Sequence, residues 1–259
     1  MFDLGMTLKN VFVFLGITMA GSVLASPTLK FSAGGYSSQG DYGLSSDTQI
    51  QGIPVSAQYR AWPWKLKLSG SYVHLKGPGT LEDADLGNGS QFRIKDVYGF
   101  GDTSVTIEHE SVSRPAASRW YWSSGIRIKL PTGERDKGLG TGEADLEPRF
   151  MLMWLNETWR PYVRVKYTIR GNPDDRKLDN GFGATLGVDV PVNPQVRVGA
   201  QVSGRESSTS TGHDRLDVLM TSTVKWDSSF SSTVYASGGL KEGSADYLFG
   251  VDFSYSFKL

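Results

Sequence analysis

Seven basic residues, Arg127, Lys129, Arg149, Arg160, Arg164, Lys166 and Arg170, fall in three short stretches of the chain, and neighbours within a stretch lie two or four residues apart. In an extended strand successive side chains point to opposite sides, so even spacing gathers these cations on one face. Lining a lumen with low-dielectric walls, such a face focuses field inward and draws carboxylates or phosphates: an anion-attracting track. Asp145 and Glu147 share the face, as do the more distant Glu108, Glu110, Asp189, Asp217 and Asp252. Paired with the cations across a narrow lumen they would plug it, and the residues leave both readings open. Tyr121 and Tyr162 also take the inward parity. Beside arginine they suit a planar aromatic acid, although tyrosine serves equally as lumen filling.

Other constellations carry less. Gly138-Leu139-Gly140-Thr141-Gly142 has the look of a phosphate-binding glycine run, but neither a following helix nor a Gly-Lys-Ser/Thr ending accompanies it, so phosphate cradling is rejected. The plain reading of Pro131 to Ala144 is a structured outer loop; inward folding that constricts a pore is the alternative. Glu82, Asp83 and Asp85 have no spacing of a defined ion loop and read as solvated acids. His74, His109 and His213 are too far apart for a zinc motif, and there is no cysteine to help. No metal or other cofactor is expected. His109 and Ser111 sit two apart on one outward face, which would suit a lipid hydrolase if a third, orienting group were placeable, and none is. The chain is read as a non-enzyme.

These residues need strands to hold them. From Phe249 to Leu259 aromatic or aliphatic residues alternate strictly with Gly250, Asp252, Ser254, Ser256 and Lys258. Period two segregates that pattern and a helix does not. Trp120 to Leu130 and Trp159 to Ile169 repeat it, and further segments fit at Trp64 to His74, Thr103 to Ser111, Leu146 to Trp154, Phe182 to Val190, Val196 to Gly204, Leu216 to Trp226 and Phe230 to Leu240. Leu29 to Gly35 and Ile53 to Ala61 are weaker. The total is about twelve strands, suited to a closed antiparallel transmembrane β-barrel whose strands need roughly 9 to 11 residues each.

Short connections near Trp62-Pro63, Arg114 to Ala117, Asn156-Glu157, Pro191 to Pro194 and Asp227-Ser228 alternate with long Gly/Ser/Asp-rich ones at Tyr36 to Thr48, Lys76 to Val97, Pro131 to Ala144, Gly171 to Asn180, Glu206 to Asp214 and Lys241 to Asp246. Short turns belong on the periplasmic side and long loops outside. Trp64, Trp120, Trp154, Trp159 and Trp226 flank the short turns, as an interfacial aromatic girdle would. On the assigned lipid faces no Arg or Lys occurs; reversed parity would turn all seven inward cations toward hydrocarbon, at roughly 2 to 4 kcal/mol each.

Composition agrees. The 27 basic residues balance 27 acidic ones, which offers no excess charge for nucleic acid, and a mean hydropathy of −0.29 leaves no room for a bundle of apolar helices. Lys9 followed by the apolar run Val11 to Ala20 and by Val23-Leu24-Ala25 reads as a secretory signal cleaved after Ala25, leaving residues 26–259 as one barrel domain. With no cysteine, there is no disulfide framework to expect in an oxidising periplasm.

Gly99-Phe100-Gly101-Asp102, then Ile128-Lys129-Leu130-Pro131-Thr132-Gly133, then Lys137-Gly138-Leu139-Gly140-Thr141-Gly142 together resemble the signature of the MetA-pathway phenol-degradation family of bacterial outer-membrane proteins. The likeness runs over about residues 99 to 155. It implies a barrel in the outer membrane of a Gram-negative bacterium and transport of hydrophobic or aromatic compounds, although the family name records a pathway association rather than a chemistry. The C-terminal aromatic alternation resembles the signal read by the barrel-assembly machinery, with Leu259 where Phe is common. The expected partners are therefore outer-membrane lipid and lipopolysaccharide, that machinery and a small solute. The expected function is passive uptake of small solutes, anionic or aromatic, past a basic lumen wall; a plugged structural or adhesive barrel acting through its outer loops is the alternative, with lipid hydrolysis behind it.

Overall fold

The computed structural model describes residues 26–44, 46–78, 95–113, 119–174, 177–210 and 212–259. The candidate signal segment, the acids Glu82, Asp83 and Asp85, and the turn at 114–117 lie outside the described residues. Thirteen strands follow one another: β1 (Thr28–Gly40), β2 (Thr48–Ala61), β3 (Trp64–Gly77), β4 (Lys95–Phe100), β5 (Thr103–Ser113), β6 (Arg119–Leu130), β7 (Asp145–Leu155), β8 (Arg160–Thr168), β9 (Gly181–Pro191), β10 (Val196–Arg205), β11 (Arg215–Lys225), β12 (Phe230–Gly239) and β13 (Tyr247–Lys258). A single 3-10 turn, Arg135–Lys137, interrupts the strand order between β6 and β7.

All pairings are antiparallel. β1 pairs with both β2 and β13, and β2 pairs with β3, so the sheet closes on itself. β3 is shared between two partners: Trp64 to Ser69 lie opposite β5, and Tyr72 to Gly77 lie opposite β4. β4 and β5 are thus two halves of one stave, broken at Gly101 and Asp102, and the barrel has twelve positions. Closure pairs every described strand on both sides except β4, at the long-loop end, which pairs with β3 alone; a strand protein in hydrocarbon requires such pairing.

The barrel is inside out relative to a water-soluble domain. Its large apolar residues point outward: Phe31, Leu68, Ile126, Val165, Leu186, Met220 and Phe253 are all exposed, whereas Glu110 (1%), Glu147 (4%) and Lys129 (4%) are buried. An apolar surface continuous around a barrel marks contact with lipid. Among the described strand residues, outward-facing charge is confined to Lys76 and Asp96 at the long-loop ends of β3 and β4. At the other end the girdle is assembled, with Trp154 stacked on Trp120 at 6.4 Å and edge-on to Trp159 at 5.7 Å.

Two strands outrun the sequence reading. β1 continues to Gly40 and β2 begins at Thr48, where Leu29 to Gly35 and Ile53 to Ala61 are expected, and β4 occupies what reads as loop. The reason is that these extensions rise above the apolar belt. Ser37, Gln39, Gln49 and Gln51 face outward into a polar environment, so the ladder persists while the hydropathy alternation that reveals a strand disappears.

Candidate functional site in the barrel lumen

The seven cations separate into three groups, and no single track contains them all. Arg127, Lys129, Arg149 and Lys166 are paired. Glu147 on β7 sits 3.0 Å from Lys166 and 4.0 Å from Arg127, and pairs with Arg149 beside it on the same strand. Arg149 also reaches Glu108 on β5 at 3.7 Å; Glu108 pairs with Lys65, which lies 3.5 Å from Glu110; and Glu110 takes hydrogen bonds from Arg60 and Tyr121 at 2.7 Å each. The resulting chain of charges runs around the wall from β2 to β8, each pair joining strands no more than two staves apart. It does not reach across the lumen, so the expectation of a salt-bridge plug is corrected: lateral pairing lets buried charges neutralise one another without filling the centre.

Arg160 and Arg170 serve the ends. The Arg160 guanidinium donates to the carbonyl of Asn156 in the β7–β8 turn at 3.1 Å. β8 ends at Thr168, so Arg170 lies past the strand on which the sequence places it, and it donates to the Asp179 carbonyl in the following loop. Arg164 differs from the other six. Among the described residues its guanidinium meets the Met151 sulfur at 3.5 Å and the Tyr162 ring at 5.8 Å, with no carboxylate or carbonyl partner.

Arg164 borders a cavity of about 240 Å³ in the short-turn half of the lumen, shared by β7 to β11 and lined also by Met151, Met153, Gln201, Leu219 and Thr221. Tyr162 is fixed at its edge. Its hydroxyl donates to Gln201 Oε1 at 2.6 Å, and its ring lies over Gly187, where a Cβ would come within 2.4 Å of the ring. Only glycine admits that approach. The Arg197–Asp189 pair, at 3.3 Å, stands on the same wall. A second cavity, about 280 Å³, lies toward the long loops, with Arg215 over the Tyr42 ring at 5.6 Å. Gln201 and Leu219 line both, so the two adjoin along β10 and β11. Tyr121, the other expected aromatic, is committed to Glu110.

The outer mouth is narrowed by folded loop. Leu139 is fully buried against Tyr42, Ile50, Val73 and Leu75, three of them inward-facing strand residues, so the 131–144 segment turns into the barrel, the alternative to a loop lying outside. Asp102, freed from the ladder by the break between β4 and β5, accepts the Gly133 N–H at 2.7 Å, and a Cβ on Gly140 would lie 2.5 Å from its carboxylate. Lys129 lies 3.2 Å from Asp102 and 3.0 Å from Asp145 and donates to Thr141 at 2.9 Å. The glycine run therefore packs on a carboxylate. A phosphate would be repelled there.

The remaining candidates stand apart. The His109 ring sits between Trp64 (5.1 Å) and Trp122 (5.6 Å) on the lipid face, His74 bonds Asp96 at 2.7 Å, and His213 lies 3.0 Å from Glu242. Among the described residues no cluster of three or more His, Asp or Glu suits a metal ion. Sequence reasoning misses Arg60 and Lys65, which parity counting extended to β2 and β3 would find, and it misses Met151, Met153, Gln201 and Leu219, which carry no signal separating a cavity wall from ordinary lumen filling.

The model of the family described as the MetA-pathway of phenol degradation matches residues 31–257. The chain belongs to that family. Its three signature stretches are the parts that meet at the loop latch: Asp102 from the first, Lys129 and Gly133 from the second, Leu139, Gly140 and Thr141 from the third. Among solved structures, an outer membrane channel from Pseudomonas putida F1 superposes with a TM-score of 0.67 at 15% identity, covering 93% of this chain and 100% of that one. The KdgM porin superposes at 0.53 with 10% identity, covering 89% and 99%. At such identities the likeness is one of fold. No curated protein matches the sequence.

Proposed function

We propose that the protein is an outer-membrane channel through which small solutes diffuse passively, exported by a cleaved N-terminal signal and inserted by the barrel-assembly machinery through its C-terminal strand, to stand among outer-membrane lipid and lipopolysaccharide. The observation that carries this reading is the pair of lumen cavities that adjoin along β10 and β11, with Gln201 and Leu219 common to both. A lumen whose charges pair along the wall keeps that side clear for a solute. The apolar belt and the closed sheet supply the spanning structure, and passive flow needs neither a cofactor nor a covalent step. Arg164, which among the described residues has neither a carboxylate nor a carbonyl partner, is the residue expected to set ion preference.

The test is single-channel recording of refolded protein in a planar bilayer, with the reversal potential read in a salt gradient. Channels that prefer anions and lose the preference in an Arg164→Glu variant support the reading. The burial of Leu139 in the outer mouth favours a second one, a barrel closed by its own loop and working through its outer surface. Folded protein that stays silent in the bilayer would leave that second reading standing and overturn the first.

A further inference from the structure

We infer that the cavity beside Arg164 is a binding subsite for a small monocarboxylate with an apolar body the size of one ring, which is the solute class the channel selects. The inference rests on the channel reading for its physiological meaning and on the geometry alone for the site. A guanidinium inside a lumen usually finds a carboxylate, and here the β2-to-β8 charge network satisfies its neighbours Arg149 and Lys166 one step away in register. Arg164 is left with a thioether, a weak acceptor that takes one of its N–H groups, and a ring face, and neither fills its planar fork of donors. A carboxylate does so bidentately. The Tyr162 ring beneath it is immobilised by Gln201 and by the absence of a side chain at Gly187, so the fork is held ready without an acid to hold it.

The rest of the cavity specifies what the carboxylate is attached to. Met153 and Leu219 add apolar, adaptable surface to the lining, and Met151 packs directly against the fork. Its volume of about 240 Å³ exceeds the roughly 150 Å³ in which a buried apolar cavity takes up benzene, which is room for one ring plus a carboxylate. Charge limits the number of acid groups. Asp189, on β9 beside β8 and paired with Arg197, is part of the cavity lining and repels a second carboxylate at that end. The site thus discriminates by two independent features, a cation without a partner and an apolar floor, and each can be removed separately.

The experiment adds benzoate to the refolded protein in a planar bilayer, with acetate and benzyl alcohol as probes that keep only the charge or only the ring. Expected are concentration-dependent interruptions of the current by benzoate at concentrations where acetate and benzyl alcohol give few. In Arg164→Gln the benzoate affinity falls roughly 10-fold or more, the loss of one charge-assisted bidentate contact. Arg164→Lys, which keeps the charge and loses the fork, lies between. Equal interruption by acetate, or benzoate affinity unchanged in Arg164→Gln with heat-modifiable folding intact, overturns the subsite. If wild-type barrels fold but do not conduct, calorimetric titration of benzoate into detergent-solubilised protein separates the two ideas. Binding that Arg164→Gln abolishes keeps the subsite while the channel reading falls, and absence of binding removes both.

Discussion

Glu147 is the residue on which the charged wall depends. One carboxylate, almost wholly buried, faces Arg127, Arg149 and Lys166 at once. Removing one partner of a buried ion pair leaves uncompensated charge behind, so Glu147→Gln is expected to destabilise the barrel by about 3 kcal/mol in a urea titration of protein refolded into vesicles. The same variant unmasks three cations, and the reversal potential in a salt gradient should shift toward stronger anion preference. A stable variant with unchanged selectivity would mean that lumen water screens these charges. The parity of Glu147 is legible in the sequence. Its partners are not, because spacing places cations and acids on one face without saying which acid lies within 4 Å of which base.

Two kinds of connection show how elements are closed off. At the short-turn end, asparagine or aspartate begins three of the reversals: Asn156 accepts the Thr158 N–H at 3.1 Å, Asn193 accepts those of Gln195 and Val196, and Asp227 those of Ser229 (2.6 Å) and Phe230 (2.8 Å). Such side chains imitate a backbone turn. The two N–H bonds, from Ser229 first and then Phe230, hold the Asp227 carboxyl below its ordinary value. A lowered folded pKa means that the contribution to the turn is present above the unfolded value, near ~3.9, and is lost as pH falls through the folded one. In a carbon-13 titration of Asp227 in micelles the midpoint should lie below that of an unstructured peptide, and the Ser229 and Phe230 amide shifts should move with it. A midpoint at the peptide value would show that the turn does not hold its carboxylate. At the long-loop end, Leu139 plays the closing part. Leu139→Ala removes the side chain that packs on Val73 and Leu75, at roughly 2 to 5 kcal/mol of local stability, and is expected to raise single-channel conductance and speed protease cleavage within 131–144. Unchanged conductance would place the constriction elsewhere in the lumen.

For the molecule as a whole, one boundary condition dominates: lipid outside, water and charge inside. Leu186 on β9 is 65% exposed on the lipid face, and Thr185 beside it faces the lumen opposite Arg164. Leu186→Arg should cost roughly 2 to 4 kcal/mol in refolding into vesicles, and Thr185→Arg much less, since only the first charge meets hydrocarbon. Similar costs would mean that the faces are assigned wrongly. That contrast is also why so much of the fold is readable from the chain alone. Alternation is a local property, imposed residue by residue by two immiscible surroundings, so twelve positions, the faces and the tryptophan girdle around Trp120, Trp154 and Trp159 are written in the sequence. Where the outer strands rise out of the lipid, as at Gln39 and Gln49, the contrast ends and the signal ends with it. What only the tertiary structure decides is non-local. The curl of the sheet sets β7 and β8 across one cavity from β10 and β11, which leaves Arg164 over that cavity while its neighbours find acids, and a break in one stave presents Asp102 to glycines about thirty residues further on, drawing a loop into the mouth. No spacing along the chain encodes these meetings, because each depends on residues that are distant in sequence and adjacent only once the barrel has closed.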